Sequence, residues 1–87
     1  MQKTLTINRV TYEADYAGIG YMGYLKAQIH DERPLSEIAP EIEWADLITL
    51  EDNTGTTDFK GYTQLVRIER VDEHSVMFML AKEDDQP

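Results

Sequence analysis

A chain of 87 residues with 41% hydrophobic content, one Trp, five Tyr and two Phe has material for one domain with a thin core. A chain this short buries about 60 to 65% of the surface its unfolded form exposes, and its composition is too apolar for disorder throughout. Seventeen acids against eight bases leave a net charge of −9, which disfavours direct contact with nucleic acid or an anionic membrane surface, and the absence of Cys excludes a disulfide framework, a thiolate zinc site and a thiol nucleophile.

The opening MQKTLTINRVTYEADY has no continuous apolar run, so neither a secretory signal nor a membrane span is expected, and the chain reads as soluble and made inside the cell. Leu5 and Ile7 alternate with polar residues, as do Val10 and Tyr12, with Asn8-Arg9 between the pairs. Asn tolerates the left-handed backbone of a two-residue hairpin turn, whereas Arg is a poor replacement for the usual Gly. A hairpin and an unbroken bent strand therefore both fit.

GIGYMG, residues 18–23, sets Gly18, Gly20 and Gly23 at the spacing of a dinucleotide-binding fingerprint. That motif needs a buried strand before it and a long helix after it. Here the chain beyond Gly23 runs only to Asp31-Glu32-Arg33-Pro34, with Leu25, Ala27 and Ile29 alternating onto one face. That is strand spacing, with a single-turn helix as the alternative. A kinase-type glycine loop fails as well, because its catalytic partners need a far longer chain. The triplet is expected to be coincidental, part of a loop or a glycine-punctuated strand.

PLSEIAPEIEWADL places Leu35, Ile38, Ile42 and Ala45 at helical spacing. Pro40 would remove a backbone donor and clash with the preceding turn, so one or two short helical turns are expected, the second restarting with Pro40 in its first turn. LITLED reads as a strand and DNTGTTD as a loop. Thr63–Val71 and Val76–Lys82 read as two further strands joined by the polar turn DEHS. In the last strand Val76, Phe78 and Leu80 share one face and Met77 and Met79 the other, so both faces should be covered or partnered. The expected fold is α+β, mainly β: about five strands in a small antiparallel sheet curled over one short helical segment, or a small barrel. Residues 1–82 form the domain, and 83–87 (EDDQP) an acidic flexible tail.

The negative charge is unevenly spread. Residues 31–58 hold nine acids (Asp31, Glu32, Glu37, Glu41, Glu43, Asp46, Glu51, Asp52 and Asp58) against Arg33 alone, while residues 1–30 and 59–82 each carry a net +1. This block is either a solvated face or a surface that steers a basic partner by offering carboxylates where nucleic acid offers phosphates. In the second case Glu37, Glu41 and Glu43 are the contact candidates. Tyr16, Tyr21 and Tyr24 lie close together in sequence, interleaved with Gly. Such rings suit a binding surface, and packing on the sheet as core and edge is the plainer alternative. Met77 and Met79 add an adaptable apolar surface for self-association or a protein partner.

Catalytic readings are weak. DNTGTTD lacks the Gly and Glu positions of a calcium-binding EF-hand loop. His30 precedes Asp31-Glu32 and His74 follows Asp72-Glu73, but acid-base or metal chemistry needs a cleft that a thin core does not supply. Ser36 and Ser75 lack a GxSxG frame. No catalytic, cofactor-binding or metal-ligating residue is expected, nor a small-molecule substrate, direct nucleic-acid contact or a membrane role.

TLTINRVTY at the start, the acidic segment before LITLED, then FKGYTQLVRIE and the closing SVMFMLAK together resemble small uncharacterised proteins encoded by phages and prophages. The resemblance implies a strand hairpin, a short helix and a terminal β-hairpin in that order. It also implies a phage context in the host cytoplasm or on the virion, and no catalytic residue. Arg9 departs from the Gly common in such openings. The expected function is a non-enzymatic accessory protein acting by protein contact, as an assembly component or a homo-oligomer. An acidic inhibitor that mimics DNA toward a host nucleic-acid-binding or defence protein is the alternative.

Overall fold

The structure, a computed structural model, describes residues 3–45 and 47–82, with Tyr21 through its backbone alone. In chain order the elements are β1 (Lys3–Ile7), β2 (Val10–Ile19), a short 3-10 turn (Tyr21–Gly23), β3 (Leu25–His30), α1 (Leu35–Ile42), β4 (Leu47–Asp52), β5 (Gly55–Lys60), β6 (Gln64–Arg70) and β7 (Ser75–Ala81). The strands form one open antiparallel sheet in the order β5-β4-β1-β2-β3-β7-β6. The expected mainly-β architecture with one helix is present, but with seven strands rather than about five, and without barrel closure.

Of the two strands beyond five, one comes from the opening segment, which divides into β1 and β2, and the other is β5, at a position read in the sequence partly as loop. Its residues are polar and exposed except Phe59, because an edge strand has one neighbour and little core to face. Its pairing with β4, from Leu47↔Lys60 to Asp52↔Gly55, sets its conformation. The hairpin is the form taken by the opening segment: Asn8 (φ 50°) and Arg9 (φ 72°) are both left-handed, and Ile7 pairs with Val10 across them. This is the geometry of a two-residue type I′ turn.

Helix α1 runs unbroken through Pro40, correcting the expected restart there. Pro40 withholds a donor from the carbonyl of Ser36, and both residues are exposed, where water can serve that carbonyl. Ile38 and Ile42 on the opposite side are fully buried, and this burial holds the helix in one piece against the cost of the proline.

The connection Gly61–Thr63 explains the curvature. It joins β5 to β6, the two edges of the sheet. Six strand spacings in a flat sheet would separate those edges by roughly 29 Å, yet three linking residues reach about 14 Å at most. The sheet therefore curls, and α1 lies against β6 inside the curl. Two hydrogen bonds to main-chain carbonyls pin the helix and the turn after it: the Asn8 side-chain Nδ2 donates to the Glu41 carbonyl (3.3 Å), and the Trp44 N–H donates to the Thr63 carbonyl (2.9 Å). The core on the concave side contains Leu5, Ile7, Leu25, Ala27, Ile29, Ile48, Val76, Phe78 and Leu80 together with Ile38 and Ile42.

Candidate contact surface

Strand alternation that turns these residues inward turns their neighbours outward. Strand register then fixes which outward residues lie side by side. One row crosses the sheet as Tyr16, Gln28, Met77 and Glu69, and the next as Gly18, Lys26, Met79 and Arg67. Tyr16, Met77 and Met79, drawn from distant parts of the chain, thus meet on one outward face. Met77 and Met79 are half-buried and Tyr16 is exposed.

A β-bulge at Asp15 shifts the pairing between Ala14 and Tyr16 and places two successive side chains on this face. Asp15 accepts from Gln28 Nε2 and from His30 Nε2, both at 2.7 Å. A carboxylate can only accept, so the proton sits on His30 Nε2. This hydrogen bond raises the His30 pKa above its ordinary value and lowers that of Asp15. At the end of the row Arg67 Nε lies 2.5 Å from Glu69 Oε2.

GIGYMG forms the end of β2 and the turn into β3. Gly20 N–H donates to the Tyr24 carbonyl (2.8 Å) and Gly23 N–H to that of Gly20 (3.1 Å), so an antiparallel strand follows where a nucleotide fingerprint needs a helix. The turn builds one wall of a shallow groove of about 300 Å³, lined by Gly20, Met22, Tyr24, Lys26 and Met79. Met22 is 71% exposed and holds φ 72° without being glycine. Sequence reasoning missed Met22, Lys26, Arg67 and Asp15. Strand alternation was the available signal for Lys26 and Arg67, whereas the bulge and the left-handed turn left none. Tyr24 lines this groove, while the Tyr21 side chain lies outside the described residues.

The acidic candidates belong to the other side of the sheet. Glu37 is exposed on α1, Glu43 is half-buried at its C-terminal end, and Glu41 is engaged within the fold. Arg33 donates from Nη1 and Nη2 to both Glu41 oxygens (2.8 Å each) and from Nε and Nη2 to Asp31 (3.1 and 2.7 Å). Tyr12 donates its hydroxyl proton to Glu41 Oε1 at 2.5 Å. The guanidinium, followed by the tyrosine, holds Glu41 down at about 2. Burial, then the neighbouring Glu41, pushes Tyr12 well above its usual range. Arg70 ties down the same region through the carbonyls of Asp31, Arg33, Asp72 and Glu73.

Of the remaining block acids, Glu32 lies 2.7 Å from His74 Nδ1, and Asp52 accepts from the Thr54 hydroxyl and N–H, which lower its pKa. Glu51 and Asp58 lie on the outward face of β4 and β5. Asp46 and the tail 83–87 are outside the described residues. Among the described residues no group of three or more ligating side chains could hold a metal ion, and no helix is long and apolar enough to cross a membrane.

No family model, curated protein or solved structure matches this chain.

Proposed function

We propose that this chain is a non-enzymatic accessory protein of phage or prophage type, working by protein contact through the outward face of β2, β3, β7 and β6, with a second copy of itself as the occupant. The carrying observation is the pair of adjacent rows. One holds Met79 between Lys26 and Arg67; the other holds Met77 and Tyr16 with Glu69 and the bulged Asp15. Each row has an apolar centre and one sign of charged side chain, Lys26 and Arg67 in one and Asp15 and Glu69 in the other. Within one copy Arg67 pairs with Glu69 and Asp15 with His30, so an interface would exchange these bonds for ones between copies. A two-fold axis that turned one copy over another would lay the basic row on its acidic counterpart, the self-complementarity an isologous interface requires.

DNA mimicry by the acidic block has less support. Asp31 and Glu41 are committed to Arg33, Glu32 faces His74, and Asp52 caps a turn. The described acids are divided between the helix, its flanking loops and the outward face of β4 and β5.

Sedimentation equilibrium over a range of protein concentrations tests the proposal. A monomer–dimer equilibrium is expected, weakened by about tenfold or more in Met79→Asp. Lys26→Glu with Arg67→Glu should weaken it too, and Asp15→Lys with Glu69→Lys likewise. Mixing those two charge variants should restore dimerisation. A chain that stays monomeric at about 1 mM rejects the proposal. Mimicry would instead appear as a basic partner lost on reversing Glu37 and Glu43, with Glu41 left intact because the fold uses it.

A further inference from the structure

The first turn of the chain fixes which main-chain groups face which neighbour across the sheet. The two-residue turn at Asn8-Arg9 closes on Ile7 and Val10, a pair that exchanges both main-chain bonds. Bonded pairs alternate along a ladder, and each strand residue turns its N–H and C=O to the same side. Ile7 and Leu5 therefore bond toward β2, and Thr6 and Thr4 toward Thr49 and Glu51 of β4. Ile48, Leu50 and Asp52 are left to bond Phe59, Thr57 and Gly55 of β5. Thr56, Asp58 and Lys60 accordingly point their main-chain groups away from β4, at the open edge of the sheet. Among the described residues none of these three bonds a main-chain group elsewhere.

The two edges of the sheet are not alike. β6 is bulged between Leu65 and Arg67 and lies against α1, and both features blunt an edge against further pairing. β5 pairs with β4 without a register shift and contains no proline, and Thr56, Asp58 and Lys60 are exposed. Its main chain is a template for another strand.

Charge selects the register in which a second β5 fits this edge. A continuous sheet keeps Phe59 on the concave side and Asp58 and Lys60 on the outward side of both copies, so a two-fold axis sets one residue opposite its own counterpart. An axis at Asp58 sets two carboxylates against each other, which is unfavourable. An axis at Thr57 sets Asp58 against Thr56 and leaves Lys60 opposite Thr54, beyond the strand. An axis at Phe59 sets Asp58 against Lys60 of the second copy, and the symmetry makes that ion pair twice. The N–H and C=O groups of those residues then bond reciprocally across the axis.

From this register we infer that the edge of β5 is a second interface of the chain, at which the β5 of another copy adds antiparallel about Phe59 and each Asp58 meets a Lys60. It is separate from the outward rows, because β4 and β1 stand between β5 and β2, and neither contact needs the other.

Amide hydrogen exchange of the full chain, followed by NMR from about 10 μM to about 1 mM, reads the contact residue by residue. The Asp58 and Lys60 amides are expected to slow by about tenfold or more as concentration rises, while Thr56, beyond the paired residues, stays fast. Association through the outward rows leaves all three unchanged, so the two contacts are told apart. Asp58→Pro removes an edge N–H and no bond to β4, and should abolish the slowing at Lys60. Asp58→Lys and Lys60→Asp should each weaken association about tenfold by setting like charges opposite each other, and an equimolar mixture of the two should restore it. Exchange at Asp58 and Lys60 that ignores concentration up to about 1 mM overturns the inference, leaving the edge to a different chain or to none. Protection at Thr56 in place of Lys60 overturns it too, as does a mixture that stays as weak as its components.

Discussion

Tyr12 on the second strand donates its hydroxyl proton to Glu41 on the helix, 29 residues away in sequence, at 2.5 Å. With Arg33 on the other side of the same carboxylate, this contact joins the concave face of the sheet to the helix packed in it. Tyr12→Phe removes one donor without changing the shape of the ring, and should cost about 1 to 2 kcal/mol at neutral pH. Urea unfolding followed by circular dichroism measures it. A variant as stable as the parent would mean that Glu41 is fully satisfied by Arg33.

The same carboxylate makes the fold sensitive to acid. The Glu41 pKa is lowered from about 4.5 to about 2, so its contribution is fully present above the ordinary value and is lost as pH falls through that window. Stability measured from pH 5 down to pH 2 should decline, and the decline should be shallower in Glu41→Gln, which has no charge to lose. Parallel curves for the two proteins would contradict this assignment.

His30 shows the opposite sign. Its pKa is raised, first by the hydrogen bond to Asp15 and further by the charges of Asp15, Glu13 and Asp72. The stabilisation is therefore present below the ordinary histidine value and fades as pH rises through the elevated one. Both side chains are well exposed, which limits the effect on stability through solvent screening. NMR titration of the imidazole reads it directly. Asp15→Asn should move the midpoint down, and an unmoved midpoint would remove Asp15 as the cause.

Arg9 occupies a turn position at φ 72° where Gly is the residue of least strain. Arg9→Gly should raise stability by about 0.5 to 1 kcal/mol. Thermal unfolding checks this, and a lowered midpoint would show that the Arg9 side chain contributes more than its backbone costs.

Trp44 combines a left-handed backbone, φ 66°, with 71% exposure just after the helix. Relieving that backbone in Trp44→Gly should stabilise the chain by about 1 kcal/mol, since the N–H bond to Thr63 uses the main chain and survives the change. Destabilisation by the same substitution would show that the indole packs usefully despite its exposure.

Local pattern accounts for the strands that face the core. β3 and β7 alternate because every second residue, Leu25, Ala27 and Ile29 or Val76, Phe78 and Leu80, must reach the same concave interior, and period two is written in the residues themselves. β5 carries no such trace, since Phe59 is its one buried side chain and its extended form comes from pairing with β4. Helix α1 overrides its own proline through the burial of Ile38 and Ile42, an energy supplied by distant strands.

The candidate surface divides in the same way. The aromatic and methionine residues were visible as types, and alternation put Met77 and Met79 on one face. Their meeting with Tyr16, Lys26 and Arg67 depends on strand order and register, which no short segment encodes. The acidic run behaved differently: adjacent in sequence, its carboxylates separated in space once Arg33, His74 and Thr54 had drawn individual members into local bonds. Composition and alternation alone determined that this would be a small, acidic, mainly β domain. The tertiary structure decided which side chains became neighbours, because the curl of the sheet and the pairing across it are set by contacts between residues far apart along the chain.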